Sequence, residues 1–180
     1  MLDVIFYANP TWQYEAALDA LLKFTSAELR VILVLDGGKR SEYRKIEDKL
    51  RAAQVERAVL HHAQAKGVDQ SVIDALKLVN EDKFVFIDGI LLNDWNWLAK
   101  LMAPLVTDST AALSAYFDYA VAPPSRLPFK SGYILPPCRL FAAKKVVVQD
   151  PTPCAVQSLR AHFTAAGNSS WLVSNIKTFQ

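Results

Sequence analysis

Asn9, Asp36 and Asp88 each come directly after a short apolar run, and each carries a side chain that can bind a metal or a polar ligand. In an open parallel sheet, ligands bind beyond the carboxyl ends of the strands, because groups from several strands converge there. Carboxylates at such positions suit a metal ion or a phosphate-linked substrate. The sequence therefore predicts one ligand edge that contains these three positions.

The same residues also fit a simpler interpretation as turns. Asp36 is followed by two glycines and Asp88 by one, and both residue types favour turns without any ligand. Asp94 is interpreted as a residue at the start of a helix, because aspartate commonly caps helices. The turn and the ligand edge both stay open at this point.

The histidines and cysteines do not follow the spacing of a metal site. His61 and His62 are adjacent, and His162 lies far along the chain. Cys138 and Cys154 have neither zinc-site spacing nor the pattern of a disulfide framework. Two distant cysteines favour a reduced setting, so the expected location is cytoplasmic.

The composition is that of a globular chain, with 52% apolar and 21% charged residues and a formal charge of +2. So small a charge gives no argument for binding nucleic acid. Asp3 stands where a signal peptide would carry positive charge. No stretch approaches the roughly 20 apolar residues that span a bilayer. We therefore expect a soluble protein without a membrane span.

Strands and helices alternate in the first part of the chain. Continuous apolar runs predict strands, and apolar residues at helical spacing predict the helices between them. The predicted strands cover residues 3–8, 30–35, 57–61 and 83–87, and the predicted helices cover residues 12–24, 41–53, 68–79 and 93–106. This alternation indicates βαβ units, so we predict an α/β fold with a central, mostly parallel sheet flanked by helices.

The pattern changes after residue 106. The predicted elements are then a strand over residues 111–119, a proline-rich loop over 120–137, strands within 139–148, a helix over 152–166 and a last strand over 170–173. We predict a single domain over residues 1–180, with a parallel half at 1–106 and a mixed half at 107–180.

Four stretches, in this order, resemble the motifs of a family 2 glycosyltransferase of the GT-A fold. VIFYANPTWQYEAALDALLKFT resembles the family's first strand, turn and helix, and VILVLDGG resembles its second strand with an Asp-Asp-Gly-Ser ending. AKGVDQSVIDAL resembles a Gly-Val segment that opens a helix. FVFIDGILLNDWNWLAKLMAPL resembles the strand with the Asp-x-Asp motif and the helix after it. A fainter likeness follows in QSLRAHFTAAGNSSWLV.

The resemblance implies a GT-A-like, Rossmann-like fold in which residues 1–106 bind a nucleotide-sugar donor, such as a UDP-sugar, and residues 107–180 face the acceptor. It implies that Asp36 accepts a hydrogen bond from the N–H of a uracil-like base and that Lys66 offsets phosphate charge. Asp88 would contact the ribose or a divalent cation, Mn²⁺ or Mg²⁺. The implied nucleotide-binding residues are Asn9, Pro10, Asp36, Gly37, Lys66, Gly67 and Asp88.

Two departures from the family's motifs bear on catalysis. The second acid of the Asp-x-Asp motif falls on Ile90, which removes a metal-binding carboxylate. The acidic pair that supplies the family's base falls near residues 153–154, so Asp150 and Asp118 become the candidate bases that would deprotonate the acceptor. Because Mg²⁺ and Mn²⁺ prefer several oxygen ligands, a lone Asp88 predicts only weak metal dependence.

Three functions stay open, and the sequence favours the first. The first is transfer of a sugar from a nucleotide-sugar to an unknown acceptor, which is a glycan, a protein or a modified nucleic acid. The second is a non-catalytic GT-A-like domain that binds a nucleotide or a partner. The third is another α/β enzyme, such as a nucleotidyltransferase, although the sequence has no Gly-rich phosphate loop.

Overall fold

The computed structural model describes residues 1–10, 14–25, 27–90, 92–116 and 140–145, together with the backbone of 169–173. Its strands are β1 (Leu2–Ala8), β2 (Leu29–Asp36), β3 (Glu56–His62), β4 (Lys83–Asp88), β5 (Ala111–Tyr116), β6 (Leu140–Lys144) and β7 (Ser169–Val173). Its helices are α1 (Tyr14–Phe24), α2 (Arg44–Ala52), α3 (Val68–Leu76) and α4 (Trp97–Thr107). A 3-10 turn over Arg40–Tyr43 leads into α2.

The seven strands form one sheet in the order β3-β2-β1-β4-β6-β5-β7. β3, β2, β1 and β4 are mutually parallel, and their connections carry α1, α2 and α3. β6 runs antiparallel to both of its neighbours, while β7 is parallel to β5. The predicted α/β class is therefore confirmed, with a parallel first half and a mixed second half.

Two apolar layers cover the sheet. One contains α1, α2 and α4 and packs on strand residues such as Val4, Phe6 and Leu33. The other contains α3 and packs on residues such as Ile5 and Val34. Because β2 is buried along its whole length, its nearly continuous apolar sequence is the pattern expected of a strand covered on both faces.

The ends of two helices differ from the sequence prediction. α4 begins at Trp97 rather than near residue 93, because the Asp94 carboxylate accepts a hydrogen bond from the Asn96 N–H at 2.9 Å and holds a turn there. Asp94 thus lies in the turn before the helix, and the N-cap position falls on Asn96 instead. α3 ends at Leu76 rather than at residue 79.

Trp95 and Trp97, two residues apart, lie in different environments. Trp97 is fully buried, and its indole N–H donates to the carbonyl of Phe24 at 3.1 Å. Trp95 is 63% exposed and packs edge-on against the Phe24 ring.

At the amino end of the sheet, a buried ion pair joins β1 to β2. Asp3 is fully buried, and its carboxylate accepts a hydrogen bond from Arg30 at 2.9 Å. The same carboxylate accepts the N–H groups of residues 80–81, which closes the loop before β4 over this end of the sheet. Arg30 also donates to the Leu78 carbonyl at 3.0 Å and contacts Glu56 at 3.2 Å.

The predicted proline-rich loop over 120–137 and the predicted helix over 152–166 lie outside the described residues. Among the described residues, no helix has the length and apolar character needed to cross a membrane.

Candidate functional site

Four polar side chains form a row at the carboxyl ends of β3, β2, β1 and β4. Asp36 is register partner to His62, and Tyr7 is register partner to both Val34 and Asp88. Since register partners and every second residue of a strand share a face, all four side chains lie on the face that α3 covers. Asp36 and Asp88 were predicted from the sequence, whereas Tyr7 and His62 were not.

Asp36 is the centre of this row. It is 1% exposed, and its carboxylate oxygens accept the backbone N–H groups of Lys66 and Gly67 at 2.8 and 2.9 Å. The Tyr7 hydroxyl donates to it at 2.8 Å, and Nδ1 of His62 lies 3.2 Å away. Burial disfavours the charged carboxylate, but these hydrogen bonds together outweigh it, so the pKa of Asp36 lies below its ordinary value.

The hydrogen bonds give Asp36 a structural role at the predicted ligand edge. Its two oxygens hold the turn over residues 63–67, which leads from β3 into α3, against the end of β2. Each oxygen already has two polar partners within hydrogen-bond distance. A base N–H would therefore reach this carboxylate only by replacing one of these donors.

The two predicted glycines differ in their surroundings. Gly37 has φ of 86°, and a Cβ there would lie 3.2 Å from the Cβ of Ala65, so the 63–67 turn packs closely against it. Gly67 has φ of 82°, and a Cβ there would have no atom within 4 Å. Glycine suits both backbones, but only Gly67 has open space beside it where a ligand can approach.

Asn9 and Pro10 follow β1 at the same edge. Asn9 is partly buried, and its side chain hydrogen-bonds the Tyr7 hydroxyl. Burial, the hydrogen bond to Asp36 and the negative charges of Asp36 and Asp88 raise the pKa of Tyr7, so its hydroxyl stays protonated. Pro10 is exposed and lies beside Gly38.

Asp88 and Ile90 occupy the positions of the metal motif. Asp88 ends β4 beside Tyr7, and Ile90 packs against the apolar layer that contains α1, α2 and α4. The Ile90 side chain thus contributes to the hydrophobic packing of that layer. The described residues contain no group of three or more His, Cys, Asp or Glu side chains placed to hold a metal ion.

Lys66 lies at this edge, but its ammonium already has a partner. It contacts Asp74 of α3 at 2.9 Å, and Lys77 contacts the same carboxylate at 3.1 Å. Burial would raise the pKa of Asp74, but the hydrogen bonds from Lys66, Lys77 and Gln70 lower it to about 2. Nε2 of His62 lies 3.2 Å from Asp74.

The structure thus brings the predicted nucleotide-binding residues to one edge. The two candidate catalytic bases, Asp118 and Asp150, lie outside the described residues, as does His162. The signal for the unpredicted His62 was present in the sequence, because it follows the apolar run of β3 as Asp36 follows that of β2.

No protein-family model and no curated protein matches this chain. Several solved structures do match it. The mannosyltransferase from Pyrobaculum calidifontis in complex with GDP-Man and Mn²⁺ is 17% identical, with a TM-score of 0.73 over 99% of this chain and 56% of its own. Glucosyl-3-phosphoglycerate synthase from Mycobacterium tuberculosis, in complex with Mg²⁺ and UDP, is 16% identical, with a TM-score of 0.64 over 100% of this chain and 72% of its own.

A third match has a different chemistry. The 4-diphosphocytidyl-2C-methyl-D-erythritol synthase from Anaerococcus prevotii is 11% identical, with a TM-score of 0.64 over 98% of this chain and 87% of its own. At these identities the matches show the fold, and the fold is GT-A-like. The neighbours include both glycosyltransferases and nucleotidyltransferases. The chain spans little more than half the length of the mannosyltransferase.

Proposed function

We propose that this chain binds a nucleotide-sugar at the carboxyl edge of β2, β1 and β4 and transfers its sugar to an acceptor. One observation carries the proposal: polar side chains end three adjacent parallel strands of a GT-A-like sheet, at the edge where open sheets bind ligands. The fold alone does not decide function, because unrelated activities share it. The arrangement of Asn9, Asp36 and Asp88 supports this one.

Each residue of the edge has a distinct part in the proposal. Asn9 and Pro10 border the nucleotide beside β1, and Gly67 offers open space for ribose or phosphate. Asp36 fixes the amides of residues 66–67, and a uracil-type N–H reaches it by replacing one of its side-chain donors. We propose a uridine nucleotide, although the neighbours include complexes with GDP-Man and with UDP.

A divalent cation fits this edge only in part. When bound, such an ion neutralises the charge that builds up on the leaving diphosphate. Asp88 is the one acid of the motif, and the Ile90 side chain packs into an apolar layer. A cation held by Asp88 would take its other ligands from the diphosphate and water, so weak dependence on Mn²⁺ or Mg²⁺ is expected.

The acceptor and the base belong to the part of the proposal that concerns residues 107–180. Inverting transfer needs a base within hydrogen-bond reach of the acceptor hydroxyl, and Asp118 and Asp150 are the proposed candidates. A glycan, a protein or a modified nucleic acid can each present such a hydroxyl. Single substitutions of either acid to asparagine should lower turnover at unchanged donor affinity if that acid is the base.

Calorimetric titration tests the donor site directly. The whole chain is titrated with UDP, GDP, CDP and the corresponding nucleotide-sugars, with Mn²⁺ and with chelator. The proposal expects binding of at least one diphosphate, strongest for uridine, and hydrolysis or transfer of the sugar on longer incubation. Absence of binding across the whole panel would refute the donor site.

The alternative is a GT-A-like domain that binds a nucleotide or a partner without catalysis. The observation that favours it is the packing of Ile90, which leaves the metal motif with one acid. Tight nucleotide binding without hydrolysis or transfer to any of a panel of acceptors would support this alternative. The same incubations with a nucleoside triphosphate and a sugar phosphate test the nucleotidyl transfer that the third structural neighbour suggests.

A further inference from the structure

Asp74 of α3 is the centre of a charge cluster that the donor site does not explain. Its carboxylate contacts the ammonium groups of Lys66 at 2.9 Å and Lys77 at 3.1 Å. Gln70 donates to it at 3.2 Å, and His62 lies at 3.2 Å. Four side chains from β3, the turn, α3 and the residue after α3 therefore meet at one carboxylate.

The members of this cluster differ in how firmly they are held. The Asp74 side chain is 14% exposed, whereas the side chains of Lys66 and Lys77 are 48% and 73% exposed. The backbone of Lys66 is fixed, because its N–H bonds the buried Asp36 at 2.8 Å. Only the flexible Lys66 side chain has to rotate for its ammonium to leave Asp74 and meet a ligand beside Gly67.

We propose that Asp74 is a specificity-determining residue for anionic ligands, because its carboxylate occupies the place on Lys66 that a phosphate would take. A diphosphate then binds by displacing Lys66 from Asp74. This inference rests on the proposed function, in which Lys66 offsets the charge of the donor phosphates, the role that the family resemblance implies for it. An ammonium bonds carboxylate and phosphate through the same three N–H donors, so the two anions compete for it.

The competition has a consequence for affinity. Asp74 holds the Lys66 ammonium and so cancels the charge that a phosphate would meet there. Small anions such as inorganic phosphate gain little by binding, whereas a nucleotide with further contacts overcomes the competition. Removing the charge should raise affinity for a diphosphate by about five- to tenfold, the scale of one charge pair near a protein surface.

The test uses inorganic pyrophosphate as the probe, so that neither base nor sugar is needed. Its affinity is measured by calorimetry for the parent, Asp74→Asn, Lys66→Met and the double variant. Asp48→Asn is the matched control, since it removes the same charge from an exposed pair with Arg51 on α2. The expected result is five- to tenfold tighter binding in Asp74→Asn, lost in the double variant and absent in the control.

Three results would overturn the inference: unchanged or weaker binding in Asp74→Asn, an equal gain in Asp48→Asn, or a gain that survives the loss of Lys66. If Asp74→Asn does not fold, NMR on the parent decides instead. The Lys66 side-chain signals and the Asp74 carboxyl carbon should shift together as pyrophosphate is added. A fixed Asp74 signal while the Lys66 signals move would exclude displacement.

The outcomes also separate this inference from the proposed function. A pyrophosphate gain in Asp74→Asn together with no binding of any nucleotide would retain the anion competition and reject the donor site. Nucleotide binding that Asp74→Asn leaves unchanged, in affinity and in salt dependence, would retain the donor site and reject the role of Asp74.

Discussion

At each end of the parallel sheet, a buried aspartate holds a loop in place, but the side chains that contact the two aspartates differ. At the amino end, buried Asp3 accepts the N–H groups of residues 80–81. At the carboxyl end, buried Asp36 accepts those of residues 66–67. In both places a carboxylate on a strand holds two consecutive amides of a loop that is distant in sequence, which fixes the loop to the sheet.

The difference lies in the side-chain partners. Asp3 is paired with the guanidinium of Arg30, whose own neighbours are Glu56 and a carbonyl, so the amino end is a closed ion pair. Asp36 instead takes the Tyr7 hydroxyl and a ring nitrogen of His62. A hydroxyl or an imidazole can be exchanged for a ligand donor at far lower cost than a buried cation can be removed. The amino end is therefore suited to a stabilising role, and the carboxyl end is suited to the binding proposed above.

Removing the buried ion pair at the amino end should give the largest loss of stability. Asp3→Asn removes the buried charged partner of Arg30, leaves it only the exposed Glu56, and should lower the free energy of unfolding by about 3–5 kcal/mol, as measured by urea denaturation. Asp48→Asn, which breaks an exposed pair, should change it by less than about 1 kcal/mol. Equal losses in the two variants would contradict the assignment of the amino end to stability.

Removing the central carboxylate at the carboxyl end should weaken nucleotide binding. Asp36→Ala releases the amides of residues 66–67 and should weaken nucleotide affinity on the order of tenfold or more, since a charged hydrogen bond contributes about 1.5–3 kcal/mol. Calorimetry at a temperature where the variant is folded measures it. Asp3→Asn serves as the control, because its folded fraction should bind as the parent does. An unchanged affinity in Asp36→Ala would count against the proposed site.

Low pH should destabilise the folded state, because two carboxylates at the carboxyl end of the sheet become protonated. The pKa of Asp36 is lowered and that of Asp74 is about 2, whereas an unfolded aspartate titrates near about 3.9. Both groups therefore bind protons more readily in the unfolded chain, and their stabilisation is complete above that value. It is lost as pH falls from about 4 towards about 2.

Urea unfolding between pH 7 and pH 2.5 measures this loss. The decline in unfolding free energy below about pH 4 should be shallower in Asp74→Asn than in the parent, because one of the two titrating groups is gone. Asp48→Asn should follow the parent curve. Parallel curves for Asp74→Asn and the parent would show that the lysines at this exposed edge do not stabilise the carboxylate.

The comparison also shows what the sequence could and could not predict. The strands followed from apolar runs, and Asp36 and Asp88 were placed at one edge because parallel strands end together. The bonding of Asp36 was not predictable, because it depends on the turn that brings residues 66–67 back over β2. The start of α4 was placed too early because Asp94 looked like an immediate cap, whereas its carboxylate holds a turn before Trp97.

The last test adds to the carboxyl end the acid that the metal motif lacks. If Asp88 alone meets the cation, chelator should reduce nucleotide affinity in the parent by only about two- to threefold, because diphosphate and water supply most of the ligands. Ile90→Asp should make binding depend more strongly on Mn²⁺, and Ile90→Asn is the matched control, with the same shape and no charge. Both variants lose the apolar packing of Ile90, so only their difference reports on the metal. Strict metal dependence in the parent would show that another side chain completes the site, and an equal response of the two variants would show that position 90 does not reach the cation.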